Sequence, residues 1–340
     1  MINLRLCGRL LIRIAMESCM PFNRDILKID AKKTIKELAD YVRREVHDVY
    51  HRSGVVVGLS GGIDSAVMAA LAVEAVGKDN VVGLILPEKE SNPVSSSFAA
   101  KHAQKMGIEF REVDITDTVN SVCPYAWRDN YIKSLIPEYS AGCRYNISLP
   151  ADLLERDAFS FYVLRVELPD GTVKTKRLGF DAFKTITGFA SIKIRARMIH
   201  LYWEAERRSR VVAGTTNRTE MVLGDFCKYG DGGTDMEPLA GIYKDQVYQI
   251  ARELGVISEI IDRTPSPDTF SLPVSDQEFF FRIPFDKLDH LLYAWEHGVP
   301  ESEVARVMGI PVEAVSRAFK DFLSKNRATA HLREIPHSPV

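Results

Sequence analysis

Hydrophobic and polar residues follow two different periods along this chain, one typical of buried strands and one typical of amphipathic helices. Short apolar runs at residues 55–57, 81–86, 108–113 and 210–214 are predicted to be buried strands. Stretches with apolar residues at spacings of three and four separate these runs and are predicted to be helices. The alternation predicts an α/β fold, with a doubly wound, Rossmann-like parallel sheet flanked by helices.

Helix boundaries are predicted from capping residues and glycines. One helix is expected to start at Ala66, directly after a Gly-rich turn. Ser95 is predicted to cap another helix, which Gly107 terminates. A long helix at residues 186–208 is expected to bury one face, and the candidates for that face are Ile192, Met198, Ile199 and Tyr202.

A β-hairpin is predicted in the least regular part of the chain. Residues 161–168 and 172–178 are separated by the turn sequence Pro169-Asp170-Gly171. Because it interrupts an alternating α/β chain, the hairpin is expected to stand outside the sheet. The predicted organisation is an N-terminal extension (1–29), an α/β domain (30–275) with an insertion at about 155–185, and a helical C-terminal region of the same domain (276–340).

Composition excludes several classes of protein. The formal net charge of -2 gives no signal for nucleic acid or an acidic membrane surface. No apolar run approaches the ~18 residues of a membrane span. The five cysteines are scattered and form no C-x-x-C pair, which argues against a zinc site or a disulfide framework. A cytoplasmic location is therefore expected.

The turn after the first strand is predicted to bind phosphate. Its glycines allow the backbone close to an anion, and the free N–H groups of the following helix point toward it. Serine hydroxyls add donors, whereas Asp64 would repel phosphate unless a divalent metal such as Mg²⁺ lay between them. The candidate residues are Gly58, Ser60, Gly61, Gly62, Asp64 and Ser65.

A second strand-to-helix junction, at residues 214–220, supplies a second candidate metal ligand. Magnesium usually takes one or two carboxylates together with phosphate oxygens and water, so Glu220 is expected to join Asp64. If a phosphate bound at this turn takes part in a reaction, a cation must also neutralise the negative charge that develops on it. The available cations are Arg195, Arg197, Lys228 and Lys244, although a single Lys or Arg is more commonly a solvated surface charge.

Residues 60–65 resemble the pyrophosphate loop of the N-type ATP pyrophosphatases, which cleave ATP between the α and β phosphates. Residues 192–198, 211–220, 228–235, 243–244 and 265–268 resemble successive blocks of the NAD synthetase family, in the family's order. The resemblance implies that the carboxylate of nicotinate adenine dinucleotide (deamido-NAD) attacks ATP and releases pyrophosphate. Ammonia would then displace AMP to give NAD. It also implies Mg²⁺ and a tight homodimer, with the acceptor site near the dimer interface.

The resemblance also implies roles for individual residues. Those expected to contact ATP are Gly58, Ser60, Gly61, Gly62, Asp64, Ser65, Thr215, Lys244 and Ser266. Those expected to bind Mg²⁺ are Asp64 and Glu220, and those expected to face the dinucleotide are Arg195, Lys228 and Asp235. Asp231 would lie near the reacting carboxylate. The implied catalytic residues are therefore Asp231, Arg195 and Lys244.

Free ammonia, or ammonia from a separate supplying protein, is the expected nitrogen source. Some relatives carry a glutamine-hydrolysing domain, and no room for one is expected before residue 30. Cys123, Cys143 and Cys227 have no Glu, Lys or His partners in a recognisable motif, so ordinary thiols are expected.

Three other functions remain open. The first is a paralogous ammonia-dependent ligase that adenylates a different carboxylate, because most departures from the family pattern fall on the acceptor side. The second is an RNA-modifying adenylating enzyme, which would need a basic face and usually a cysteine pair. The third is a DNA-binding regulator built on the helix pair at residues 301–308 and 312–324, which would leave residues 60–65 unexplained.

Overall fold

Two separate β-sheets are present in the computed structural model, which describes residues 21–156 and 161–338. Residues 1–20 of the predicted N-terminal extension lie outside the described residues. The strands are β1 (Val55–Gly58), β2 (Val81–Ile85), β3 (Glu109–Glu112), β4 (Arg144–Ser148), β5 (Val163–Glu167), β6 (Val173–Arg177) and β7 (Val211–Ala213).

The central sheet has four parallel strands in the order β3-β2-β1-β7. Val55 in β1 is paired with Val81 in β2 on one side and with Val211 in β7 on the other. The carboxyl ends of these strands therefore meet at one edge, where ligands bind in open α/β sheets. The turns that follow β1 and β7, with the helix starts after them, lie at this edge and carry Ser60, Asp64, Thr215 and Glu220.

Helices cover both faces of the central sheet and form the C-terminal part of the chain. They are α1 (Ala31–Arg44), α2 (Ile63–Val76), α3 (Pro93–Met106), α4 (Thr116–Val122), α5 (Tyr125–Leu135), α6 (Phe180–Arg208), α7 (Arg218–Leu223), α8 (Lys244–Glu253), α9 (Ser258–Ile261), α10 (Phe285–Glu296), α11 (Glu301–Met308) and α12 (Val312–Ala328). Short turns of other helical types are Glu45–Val49, Lys78–Asn80, Gln277–Phe281 and Ala330–Leu332.

The two faces of the sheet carry separate cores because strand side chains alternate. Val55 and Val57 pack with α1, α2 and α8 on one face. Val56 and Val212 pack with α4 and α6 on the other. Parallel strands buried on both faces explain the continuous apolar runs in the sequence. The doubly wound α/β fold predicted from those runs is therefore confirmed.

Two helix starts differ from the prediction. Helix α2 begins at Ile63 rather than Ala66, so Asp64 lies in its first turn. Ser95 does not cap α3, because the Asn92 side chain accepts a hydrogen bond from Val94 N and Pro93 occupies the first helical position. Proline is pre-organised for that position and lacks the N–H that would be unpaired there. The predicted end is correct, since Gly107 is the left-handed C-cap.

Helix α6 is longer than predicted, and the prediction that Ile199 lies on its buried face is wrong. It begins at Phe180 rather than at residue 186. Met198 is buried as expected, but the Ile199 side chain is 60% exposed. Consecutive residues on a helix point about 100° apart, so the two cannot share one face. Ile199 instead lies in a row with Arg195 and Trp203, which is also exposed.

The predicted hairpin exists and stands outside the central sheet. Strands β5 and β6 are antiparallel, and Gly171 in the turn between them has the left-handed φ of 85°. Strand β4, which the sequence analysis missed, pairs antiparallel with β5 and makes a three-stranded sheet. Its inner residues pack against α5 and the start of α6 in a core of their own.

The C-terminal helices form a further core to which the start of the described chain contributes. Helices α10, α11 and α12 pack together with Phe22 and Leu27. Residues 21–29 are therefore attached to the C-terminal region, although the sequence analysis assigned them to an extension. Among the described residues, no helix has the length and apolar character needed to cross a membrane.

Candidate active site

The turn between β1 and α2 is held by short hydrogen bonds among its own residues. The hydroxyls of Ser60 and Ser65 lie 3.1 Å apart, and Ser65 Oγ donates to the Gly62 carbonyl at 3.0 Å. Gly62 N donates to Ser60 Oγ at 3.2 Å. Gly62 is the N-cap of α2 and supplies no side chain to cap it. The N–H groups of the first turn of α2 are thus available to an anion.

Gly61 is required by both its conformation and its surroundings. Its φ is 76°, in the left-handed region. A Cβ at this position would lie 2.3 Å from the carbonyl oxygen of Ser95. The turn therefore packs directly against the first turn of α3, which forms one wall of the site.

Asp64, Glu220 and Lys244 meet at the carboxyl edge of the sheet. Lys244 Nζ donates to Asp64 Oδ2 at 2.5 Å and to Glu220 Oε1 at 3.3 Å. All three side chains are mostly buried, with exposed fractions of 7% for Lys244, 16% for Asp64 and 20% for Glu220. Two carboxylates thus share one ammonium group beside the phosphate-binding turn.

Asn217 orients both carboxylates. Its Nδ2 donates to Asp64 Oδ1 at 2.9 Å, and its Oδ1 accepts from Glu220 N at 3.1 Å. Glu220 Oε2 accepts in return from Asn217 N at 3.2 Å, which completes a capping box at the start of α7. The sequence analysis missed Asn217, although the pattern Asn-x-x-Glu before a helix is a signal that could have found it.

The charges of this group are strongly coupled. Burial acts to lower the pKa of Lys244, but the adjacent Asp64 and Glu220 carboxylates outweigh it and raise that pKa well above its ordinary value. Burial raises the pKa of Glu220 well above its ordinary value, and the Lys244 ammonium only partly opposes this. One ammonium cannot compensate two buried carboxylates fully, and Asp64 is the nearer of the two. The group is therefore short of positive charge.

A cavity of about 690 Å³ extends from this group across the edge of the sheet. The residues predicted to contact ATP or magnesium that line it are Gly58, Ser60, Gly62, Asp64, Ser65, Thr215, Glu220, Lys244 and Ser266. Gly61 lies in the same turn but does not line the cavity. The cavity is also lined by the aromatic side chains of Tyr162, Phe183, Phe226, Phe279 and Phe280.

The carboxylates of Asp225, Asp231 and Asp276 also line the cavity and form no ion pair with Lys244 among the described residues, although its charge acts on Asp225 and Asp276. Burial raises the pKa of Asp225 to about 8 and that of Asp276 to about 6. Burial also raises the pKa of Asp231, although the N–H of Cys227, which donates to Asp231 Oδ1 at 2.7 Å, opposes the shift. The sequence analysis singled out Asp231 but missed the other two, because an aspartate in an irregular loop gives no signal of burial.

The three residues predicted to face the dinucleotide do not line the cavity and are engaged within the protein. The Arg195 guanidinium donates to the Lys228 carbonyl through Nε at 3.2 Å and Nη2 at 3.1 Å. Lys228 Nζ donates to the carbonyls of His331 at 2.7 Å and Glu334 at 2.8 Å. Asp235 Oδ2 accepts from Val212 N at 2.7 Å. Their role toward an acceptor stays a prediction.

A buried lysine connects the loops on one side of the cavity. Lys193 is fully buried, and its Nζ donates to Glu88 Oε1 at 2.8 Å, Glu90 Oε2 at 2.7 Å and the Thr269 carbonyl at 3.0 Å. The two glutamates belong to the loop after β2, and Thr269 belongs to the loop that carries Ser266. Their sequence positions gave no indication of this contact, since the loops are far apart along the chain.

The chain is similar to known proteins in both sequence and fold. Residues 34–136 and 169–336 match the family model described as NAD synthase. The NH₃-dependent NAD⁺ synthetase of Mesorhizobium japonicum is 38% identical over 311 residues, which cover 92% of this chain and 97% of the relative. That of Thermotoga maritima is 34% identical over 261 residues, covering 77% of this chain and 86% of the relative. Strand β4 falls between the two segments matched to the family.

Two solved structures share the fold. The NMN synthetase of Francisella tularensis has a TM-score of 0.63 and 21% identity, and it covers 92% of this chain and 99% of its own. The NH₃-dependent NAD synthetase of Campylobacter jejuni has a TM-score of 0.59 and 21% identity, and it covers 91% of this chain and 99% of its own. At this identity the likeness concerns the architecture alone.

Proposed function

The chain belongs to the NAD synthase family, and on that premise we propose that it converts deamido-NAD to NAD with ATP and ammonia. The observation that carries the proposal is the meeting of Asp64, Glu220 and Lys244 beside an anion-binding turn. Activation of a carboxylate by ATP needs this combination, a turn for the phosphates and compensating charges for the displacement. The Thr215 and Ser266 side chains border the same cavity.

In the first step an oxygen of the acceptor carboxylate attacks the α-phosphorus of ATP. The bond from that phosphorus to the oxygen bridging to the β-phosphate breaks, and its electron pair leaves with pyrophosphate. The N–H groups at the start of α2 and the hydroxyls of Ser60 and Ser65 hold the phosphates. Lys244 Nζ, already at the carboxylate pair, faces the developing negative charge.

Asp64 and Glu220 are the residues that would hold Mg²⁺. Two carboxylates plus phosphate oxygens and water form a common magnesium site, and the pair lacks full compensation by Lys244. No group of three or more metal-ligating side chains occurs in the described part of the chain, so phosphate oxygens would have to complete the coordination. When bound, the metal neutralises charge on the phosphates.

In the second step ammonia attacks the carbonyl carbon of the acyl-adenylate, the nitrogen releases one proton to water, and AMP leaves with the bridging oxygen and the electron pair of the broken C–O bond. We assign Asp231 to the vicinity of this carbon, because it lines the cavity beyond Lys244. Free ammonia, or ammonia delivered by another protein, is the nitrogen donor. The buried Cys227 thiol has a raised pKa because of burial, which makes it a poor nucleophile for hydrolysing glutamine.

We further propose that the chain acts as a homodimer in the cytoplasm. The exposed apolar side chains of Ile199 and Trp203 lie beside Arg195 on the outer face of α6, and such a row suits a protein interface. The free cysteines Cys123, Cys143 and Cys227 fit a reducing compartment.

The test is an acceptor screen on the purified chain. Protein, ATP, Mg²⁺ and ammonium are incubated with deamido-NAD or with other carboxylates, and both pyrophosphate and the amide product are measured. Release of pyrophosphate together with NAD, from deamido-NAD alone, is the expected result. If pyrophosphate were released equally fast or faster with another carboxylate, adenylation would still hold as the reaction, but deamido-NAD would be rejected as the substrate.

The nitrogen donor is tested in the same assay by replacing ammonium with glutamine. Ammonium should support formation of NAD and glutamine should not. Turnover with glutamine that a thiol reagent blocks would reveal a glutaminase site and contradict the proposal.

A further inference from the structure

Arg263 lies in a wall that separates two cavities. A second cavity, of about 570 Å³, adjoins the main one, and both are lined by residues 263–266 and 268–270. The wall is therefore a single layer of chain. It is the same segment that carries Ser266, one of the residues predicted to contact ATP.

Arg263 is the cation of this wall and it lacks a charged partner. Its Nη1 contacts the carbonyl oxygen of Gly61 at 3.5 Å, the long end of the hydrogen-bond range. Within residues 21–156 and 161–338, no carboxylate forms an ion pair with it. A half-buried guanidinium beside a phosphate-binding turn is unusual without a partner, because burial of a charge is costly.

The other cations of the main cavity are engaged elsewhere. Lys244 is shared by Asp64 and Glu220, and Arg197 Nε donates to the Leu86 carbonyl at 3.0 Å. Lys184 is exposed at the start of α6, with its Nζ 4.4 Å from the centre of the Phe180 ring. Arg263 is thus the cation closest to the phosphate-binding turn that has no strong partner among the described residues.

We infer that Arg263 binds the β- and γ-phosphates of ATP and retains them as pyrophosphate after the α–β bond breaks. This inference rests on the proposed function for the cleavage of ATP at that bond. Pyrophosphate takes the electron pair of the broken bond and so gains negative charge, which the Arg263 guanidinium would compensate. Guanidinium suits this ligand, because its planar N–H groups bind two phosphate oxygens at once.

The role of Lys244 differs from that of Arg263. Lys244 acts at the carboxylate pair, where the α-phosphate and the metal meet, whereas Arg263 acts at the opposite side of the turn, near Gly61 and Ser266. AMP lacks the β- and γ-phosphates, so its affinity should not depend on Arg263. The affinity for magnesium pyrophosphate therefore reports on the part of the site near Arg263, and the affinity for AMP reports on the rest of the nucleotide site.

The test measures binding of magnesium pyrophosphate and of AMP to the full chain by calorimetry. Arg263→Gln should weaken magnesium pyrophosphate about 10- to 100-fold, the usual size for hydrogen bonds to a charged group. It should change AMP affinity less than about twofold. Arg263→Lys, which keeps the charge and loses the planar fork, should fall between Arg263→Gln and the unmodified protein. If Arg263→Gln does not fold, the affinities of Arg263→Lys are compared with those of the unmodified protein instead.

Arg144→Gln is the matched control. Arg144 lines the second cavity but not the main one, and Glu167 pairs with it, so its removal should leave both affinities unchanged. Unchanged pyrophosphate binding in Arg263→Gln would overturn the inference, as would an equal loss of AMP binding. An equal loss in Arg144→Gln would also overturn it, since the effect would then be a general one of positive charge. Neither ligand requires an acceptor, so a failure of the proposed acceptor would be seen separately.

Discussion

The part of the main cavity that we propose for ATP (the ATP side) and the part that we propose for the acceptor (the acceptor side) differ in how the charges of their carboxylates are compensated. On the ATP side, Asp64 and Glu220 share the Lys244 ammonium and are oriented by Asn217. We assign Asp225 to the acceptor side; it forms no ion pair among the described residues, and burial raises its pKa to about 8. On the ATP side the carboxylates are stabilised by pairing with an ammonium group, whereas on the acceptor side burial favours the protonated form of Asp225.

The difference indicates how far each side is pre-formed. Groups that already hold their charges in place need little reorganisation when ATP arrives, which is the basis of electrostatic catalysis. The cations expected on the acceptor side are engaged by backbone carbonyls, as Arg195 and Lys228 show. On the prediction that Arg195 and Lys228 bind the dinucleotide, they have to exchange these contacts when it binds, and we expect this side to tolerate substitution better.

The largest expected effect is on the ATP side. Asp64→Ala should reduce pyrophosphate release on the order of 10³-fold or more, since it removes the nearest partner of Lys244 and one proposed metal ligand. Steady-state kinetics at saturating ATP measures the loss, and circular dichroism checks the fold.

Asp245→Ala is the control for this change. Asp245 is exposed, follows Lys244 directly and does not line the cavity, so its removal should change turnover by less than about twofold. Nearly normal turnover in Asp64→Ala would remove the basis for placing the chemistry on the ATP side.

The second prediction concerns Lys193, which connects the loop after β2 with the loop that carries Ser266. Lys193→Met leaves Glu88 and Glu90 without their buried ammonium, so the free energy of unfolding should fall by about 3 kcal/mol. Urea unfolding measures this change. The double variant Lys193→Met/Glu88→Gln should recover part of the loss, because one uncompensated charge is removed. A loss that the double variant deepens would contradict the charge argument.

A third, smaller effect is expected for Asp225 and depends on pH. The folded protein holds a proton on Asp225 up to about pH 8, whereas the ordinary pKa is 3.8. The wild-type protein should therefore lose stability as the pH rises between these values, because only the unfolded chain ionises readily. Asp225→Asn removes this loss and should be more stable at pH 8 by about 1 to 2 kcal/mol, since cavity water reduces the full effect.

Thermal or urea unfolding from pH 4.5 to 8.5 tests this prediction. The two proteins should have nearly equal stability at the acid end and diverge as the pH rises. Parallel curves across the whole range would show that Asp225 is compensated, and the contrast between the two sides would then disappear.

The smallest effect is expected at Arg195. Arg195→Lys loses the two-pronged contact with the Lys228 carbonyl, so the KM for deamido-NAD should rise by about three- to tenfold, while that for ATP stays within about twofold. Arg207→Lys, on the same helix but paired with Glu204, is the control. A larger rise in the KM for ATP would place Arg195 on the ATP side.

The sequence predicted the strand, turn and helix of the proposed ATP side because their geometry is local. A buried strand, a Gly-rich turn and a helix fix the positions of Ser60 and Asp64 over a few residues, and the Glu220 junction repeats the arrangement on the neighbouring strand. Even the error at Ser95 is local, since Asn92 and Pro93 gave a better capping signal a few residues earlier.

The parts of the molecule outside the central sheet were less predictable because they depend on contacts between distant segments. Strand β4 is covered on its outer face, where Asn146 Nδ2 donates to the Pro273 carbonyl at 2.9 Å, so it lacks the clear alternation of an exposed strand. The contact of Lys228 with His331 spans about the last third of the chain. No short-range pattern predicts such a pair.

The most direct test of the central claim is the fate of the acceptor's oxygen. Deamido-NAD labelled with oxygen-18 in both carboxylate oxygens is incubated with the protein, ATP, Mg²⁺ and ammonium, and the products are analysed by mass spectrometry. The account predicts one labelled oxygen in AMP, one in the amide of NAD, and none in pyrophosphate. Formation of NAD with unlabelled AMP, or with ADP and phosphate as the nucleotide products, would contradict adenylation of the carboxylate.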